Sequence, residues 1–144
     1  MRNSHRTALI VPLGLAAALL LAACGGDSSP GSARILVTYV DENGEEQKVS
    51  VHSDETACSE YVVPKRRIAT ADGAVSALVD SSGRAQIQVQ IDRTTSFQST
   101  ATSPADETGF QVEGVEGVVL RLSSGIQKKI SEKASVTGTF TCPD

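Results

Sequence analysis

Apolar and polar side chains alternate with a period of two through most of this chain, and that period predicts strands. The clearest case runs from Arg84 to Arg93, where Ile87, Val89 and Ile91 fall on one side and Gln86, Gln88 and Gln90 on the other. Such a segment has one dry face and one wet face, as a strand of an antiparallel sheet does. The last stretch repeats the pattern: Val136, Gly138, Phe140 and Cys142 face one way, Ser135, Thr137, Thr139 and Thr141 the other. Near the start, Arg34 to Val40 is apolar and β-branched, and Glu46 to His52 alternates. Between them, Asn43-Gly44 predicts a two-residue hairpin turn, because both residue types tolerate positive φ. That turn sets Leu36 opposite Val51, Thr38 opposite Val49 and Val40 opposite Gln47.

The middle of the chain is less uniform. Tyr61-Val62-Val63 predicts a strand confined to an edge by Pro64. Residues 68–80 carry two signals, since Ile68, Ala71, Val75 and Leu78 have helical spacing while Val75, Ala77 and Val79 alternate. Gly73 interrupts the helical reading, and Ser81-Ser82-Gly83 looks like a hairpin loop, so strand is favoured. Thr94 to Thr102 predicts a strand around Phe97, and Ser103 to Gly109 a loop. In Phe110 to Leu122 the apolar parity changes at Gly114, which places a bulge there. Ser123 to Lys133 reads as a polar, lysine-bearing loop with room for one helical turn. The fold class is all-β, a small antiparallel β-sandwich or curled antiparallel sheet of seven to eight strands.

One region escapes the two-residue period. Met1 to Arg6 carries Arg2 and Arg6 and no acid, and Ala8 to Ala23 follows with sixteen uncharged residues. A basic start, an apolar run and small residues at its end mark a secretory signal. As a helix the run reaches only about 24 Å, short of a hydrocarbon core near 30 Å. It closes on Leu21-Ala22-Ala23-Cys24, which resembles the lipobox of bacterial lipoproteins. The resemblance implies that residues 1–23 are removed and that Cys24 becomes a diacylglyceryl cysteine with a further acyl chain, such as palmitate, on its amine. Residues 24–33 are then a lipidated cysteine and flexible tether, and 34–144 a β-rich extracytoplasmic domain held at the cell membrane by lipid.

Composition narrows the partners. Removing the signal leaves 121 residues with 11 basic and 17 acidic side chains, a net charge near −6. That balance excludes the basic face a nucleic-acid binder needs. Trp is absent and Phe and Tyr total five, too few for an aromatic stacking platform. With Cys24 assigned to lipid, Cys58 and Cys142 remain, an even pair in an exported protein, and we read them as one disulfide. Closing that loop stabilises by about 4.6 kcal/mol in the chain-entropy account. No cofactor is implied. Beyond the signal, one histidine and no close cysteine pair make a transition-metal site a poor fit. Asp41, Asn43 and Glu45 hint at calcium, but an EF-type loop needs an acid where His52 stands.

Three functions compete. The first is a non-enzymatic, lipid-anchored envelope protein that binds or displays. The second is a carrier of envelope lipid or another small molecule, which needs an apolar cavity that few large side chains can line. The third is an exported hydrolase. Its base is confined to His52, whose strand neighbours Ser50 and Asp54 stand two residues away, about 7 Å along a strand. Gly26-Asp27-Ser28 lies in the tether, where nothing orients the hydroxyl. The one basic run, Lys65-Arg66-Arg67, supplies candidate contacts to phosphate headgroups.

The lipobox, the cysteine after the first hairpin and the ending Thr139-Phe140-Thr141-Cys142-Pro143 together resemble the LpqH-type lipoprotein antigens of mycobacteria and related actinobacteria. The likeness runs loosely from Val49 to Cys142, through Cys58, Gly73-Ala74-Val75-Ser76-Ala77-Leu78, Gly109 to Val115 and Thr141-Cys142. It implies a surface antigen without a catalytic site, whose acylated terminus is sensed by host innate receptors. Tethers of that family are often threonine-rich and glycosylated; this one has Ser28, Ser29 and Ser32 and no threonine.

Overall fold

The alternating segments assemble into one antiparallel sheet. The structure, a computed structural model, describes residues 29–59 and 65–144. The signal, Cys24, the first part of the tether and the strand expected at Tyr61 to Pro64 lie outside the described residues. The strands are β1 (Ser32–Val40), β2 (Glu46–Ser53), β3 (Thr56–Cys58), β4 (Lys65–Thr70), β5 (Val75–Asp80), β6 (Arg84–Gln90), β7 (Thr95–Ser99), β8 (Ser103–Pro104), β9 (Gly109–Ser123) and β10 (Ile126–Thr141). Their order across the sheet is β2-β1-β10-β9-β7-β6-β5-β4-β3, with β8 on β6.

The sheet curls into a half-barrel. Cys58 on edge strand β3 and Cys142 just beyond β10 belong to strands six positions apart in that order, yet their Cα atoms are 5.7 Å apart and joined by a disulfide. In a flat sheet six strand spacings would separate them by about 29 Å. A sandwich of two sheets is therefore replaced by the curled alternative. The reason lies in β9: its first half pairs β10 beside β1, its second half also pairs β7, and so the sheet never divides. The concave face holds the core, with Phe97, Phe140, Ile68, Ile87, Val37, Val75, Val89, Val119 and Val136 fully buried. Each such side chain contributes about 1.5–3 kcal/mol. Phe110 stacks on Phe140 at 5.4 Å between ring centroids.

Hydroxyls repair the ladder where strands part. The Ile87 N–H donates to Ser99 Oγ at 2.8 Å, and the Val75 N–H to Thr70 Oγ1 at 3.0 Å. The Ser32 N–H donates to Thr141 Oγ1 at 2.9 Å. Buried backbone donors need such partners, which gives the many Ser and Thr residues of the inner face a structural task.

Several details differ from the sequence reading. The strand count is ten among the described residues, since 68–80 is two strands, β4 and β5, joined by a turn at Gly73. The first hairpin is shifted by one residue: Val37 pairs Val49 and Ile35 pairs Val51. Its loop is Glu42-Asn43-Gly44, closed by Asp41 N–H to Glu45 O at 2.8 Å, with only Gly44 at positive φ (84°). Asn43 stays out of the left-handed region, so the turn is a three-residue loop with a glycine bulge instead of a two-residue mirror turn. The sheet also begins earlier than Arg34, because Ala33 is fully buried within β1.

Residues 126–133, read as loop, form the start of β10. There the register shifts between Lys129 and Ser131 and again before Ala134, so Ile130 and Ser131 are both buried and the two-residue period is lost. The bulge expected at Gly114 is present: two residues, Glu113 and Gly114, stand against Thr137 between the Val112–Gly138 and Val115–Val136 pairs. Gly114 has φ 64°, and its N–H donates to Thr137 Oγ1 at 2.9 Å.

Candidate functional site

The chain enters the domain at the end where the half-barrel is closed. Ser32 and Thr141 pair there, Thr56 Oγ1 donates to the Thr141 carbonyl at 2.6 Å, and the Cys58–Cys142 bridge lies alongside. The described chain therefore begins at the end of the sheet that carries the disulfide.

The basic run is divided by the pleat, since neighbouring residues of a strand face opposite ways. Arg66 turns inward. Its guanidinium donates to the carbonyls of Asp106 at 3.3 Å and Glu107 at 3.0 Å, and lies 3.3 Å from Cys142 Sγ. Its Nε is buried without a hydrogen-bond partner among the described residues. Arg67 is exposed on the convex face and pairs with Leu78, and Lys65 stands at the start of β4. Sequence reasoning missed the inward role of Arg66, because only the fold brings residues 66 and 106–107 together.

His52 is exposed at the end of β2, and its Nε2 lies 3.0 Å from Asp54 Oδ1. The sequence reading kept these two apart on strand spacing; β2 ends at Ser53, so Asp54 leaves the strand and reaches back. Ser50 and His52 line a shallow cleft of about 390 Å³ with Arg34, Leu36 and Thr137. No hydroxyl among the described residues hydrogen-bonds to His52, so a nucleophile–base pair is not assembled.

The acids near Asn43 serve the turn. Asp41 Oδ1 accepts the N–H groups of Asn43 at 2.8 Å and Glu45 at 3.0 Å, and Oδ2 accepts from the Gln47 amide at 2.8 Å. The same device recurs at Asp72, Asp80, Asp92 and Asp106, each accepting the N–H two residues ahead. All five carboxyls are held below the usual range. The leading cause is the Glu45 N–H for Asp41, the Thr70 hydroxyl for Asp72, the Ser82 hydroxyl for Asp80, the Thr94 N–H for Asp92 and the Thr108 hydroxyl for Asp106. The signal was present as Asp followed two residues later by a small or polar residue. Glu42, beside them, is lowered chiefly by its hydrogen bond from Lys128 at 2.7 Å.

The concave interior is filled by side chains of a single cluster drawn from seven strands. Clefts lie on the outside: one of about 580 Å³ near the bulges of β9 and β10, lined by Tyr39, Glu116, Lys129 and Lys133, and one of about 470 Å³ beside Phe110, Thr139 and Thr141. Both are open grooves with mixed polar linings. No protein-family model, curated protein or solved structure matches this chain.

Proposed function

We propose that this protein is a lipid-anchored cell-envelope protein that presents a rigid β-domain on the extracytoplasmic face, for binding or display and without catalysis. The observation that carries the reading is Leu21-Ala22-Ala23-Cys24 at the end of an uncharged run, eight residues ahead of the first strand. Two or three acyl chains, at about 0.8 kcal/mol per buried methylene, hold a protein durably where one would not. The packed interior favours display over carriage of a lipid, and the unassembled His52 favours it over hydrolysis. The likeness to LpqH-type antigens extends the proposal to recognition of the acylated terminus by host innate receptors. Within the basic run, Arg67 is exposed on the convex face and available to phosphate headgroups.

Metabolic labelling with an alkyne fatty acid, followed by membrane fractionation, tests the proposal. The wild type should carry label and sediment with membranes, with Cys24 as the mature N-terminus by mass spectrometry. Cys24→Ala should lose label and retain its signal. An unlabelled wild type, or normal processing of the variant, would overturn the anchor.

A further inference from the structure

The convex face of the sheet from β5 to β9 carries few charges over its middle, although Glu116 stands on the same face of β9 next to Val118. Ser76 and Leu78 on β5, Gln86, Gln88 and Gln90 on β6, Ser96 and Gln98 on β7, and Val118, Leu120 and Leu122 on β9 share this face by register. Charges border it: Asp80, Arg84 and Glu116 at one end, Arg67 and Lys129 at the sides. Gln88 pairs directly with Gln98. Gln90 is engaged, its amide donating to the carbonyls of Asp92 and Thr95. The amides of Gln86, Gln88 and Gln98 make no hydrogen bond to protein among the described residues. Together with Ser76 and Leu78 they ring a shallow dimple of about 60 Å³.

These features specify a ligand. A primary amide offers two donors and an acceptor and carries no charge, so an array of them matches a neutral molecule whose groups both donate and accept. Strands repeat at about 4.8 Å across the sheet and side chains at about 7 Å along it, so the matching groups must recur at short intervals along an extended molecule. Leu78 and Leu120 add apolar contacts for C–H surfaces. Four strands by five residues span roughly 300 Å², well below the ~800 Å² per partner of a stable protein interface. The small area disfavours a second copy of the chain. We propose that this face binds a neutral polysaccharide. Calling that glycan an envelope component rests on the lipid anchor proposed above; the binding face itself does not.

Affinity electrophoresis of the full chain in mild detergent, through gels containing dextran, mannan or arabinogalactan, with alginate as the acidic control, tests this. At least one neutral glycan should retard the protein while alginate does not. The exposed pair Gln88→Ala with Gln98→Ala should weaken retardation at least fivefold without moving the thermal midpoint, and Gln111→Ala, outside the face, should leave it unchanged. Absence of retardation by all three neutral glycans, equal retardation of the double variant, or a dimer by sedimentation lost in that variant would each overturn the proposal. Acylation of Cys24 is read from labelling alone, so failure of either proposal is distinguishable from failure of the other.

Discussion

A terminal nitrogen of Arg66 lies 3.3 Å from the sulfur of Cys142 and donates to the Glu107 carbonyl at 3.0 Å. Arg66 thus ties strand β4, the loop after β8 and the end of β10 at the place where the half-barrel closes. The disulfide is the covalent part of that closure, and Cys142 N–H to Thr108 O at 2.8 Å is another strand of it. Without the bridge, β3 becomes a three-residue edge strand held by β4 and by the Thr56 hydroxyl. Cys58→Ser with Cys142→Ser should lower the thermal midpoint by more than about 10 °C, from roughly 4 kcal/mol of loop-closure entropy in a domain of this size. Differential scanning calorimetry reads this directly; an unchanged midpoint would show that the edge is held without the bridge.

Ser99 is expected to be worth more than its size suggests. It is buried, and its hydroxyl is the acceptor for the Ile87 N–H at 2.8 Å, just past the last β6–β7 pair. Ser99→Ala leaves that donor buried and unpaired, which costs about 1–3 kcal/mol. Gln98→Ala, one residue away on the convex face, should be close to neutral. Urea unfolding of the two variants separates them; equal midpoints would refute the role of the hydroxyl.

Acid should unfold the domain through its turns. Asp41, Asp72, Asp80, Asp92 and Asp106 all have folded pKa values below their unfolded ones. A group depressed by folding stabilises fully above its unfolded pKa, about 3.9 for Asp, and that contribution is lost as pH falls through the folded value. Thermal midpoints should therefore change little from pH 7 to 5 and drop below about pH 4. Asp80→Asn keeps an acceptor oxygen and removes the titration, so its decline should be shallower than that of the wild type. A midpoint flat down to pH 2 would mean that these bonds carry no stability.

Legibility followed the two-residue period. Ile87, Val89, Phe140 and Val136 were placed correctly because their segments alternate without interruption, and Gly114 was placed as a bulge because parity visibly changed there. The start of β10 was missed for the opposite reason. Its hairpin with β9 runs beyond the core into water, so Gln127, Lys128 and Lys129 are all exposed, and the bulges then bury Ile130 and Ser131 in succession. The pairing of Arg66 with residues 106–107 and the sparsely charged convex face depend on which strands become neighbours, a property of topology that local patterning does not contain.

The first hairpin shows how burial overrules turn chemistry, and it yields a last test. Asn-Gly favours a two-residue turn, which would place Thr38 opposite Val49. The observed register places Val37 opposite Val49 and Ile35 opposite Val51, and Val37 and Ile35 are buried in the core. A one-residue slip between the strands would change which side chains of β2 stand beside that face, so the chain keeps the register and lengthens the loop to three residues. Deleting Glu42 removes the extra residue while leaving Asn43-Gly44 directly between Asp41 and Glu45. The shortened loop then suits a two-residue mirror turn in the existing register. The variant should fold with Val37 still paired to Val49, seen as cross-strand backbone contacts by NMR. The exposed ion pairs of Glu42 with Arg121 and Lys128, at 3.1 and 2.7 Å, are its main tertiary loss, and such surface pairs carry little stability. A cross-strand contact between Thr38 and Val49 in the deletion variant would show that a three-residue loop, re-formed from Asn43-Gly44-Glu45, outweighs core burial in setting the register.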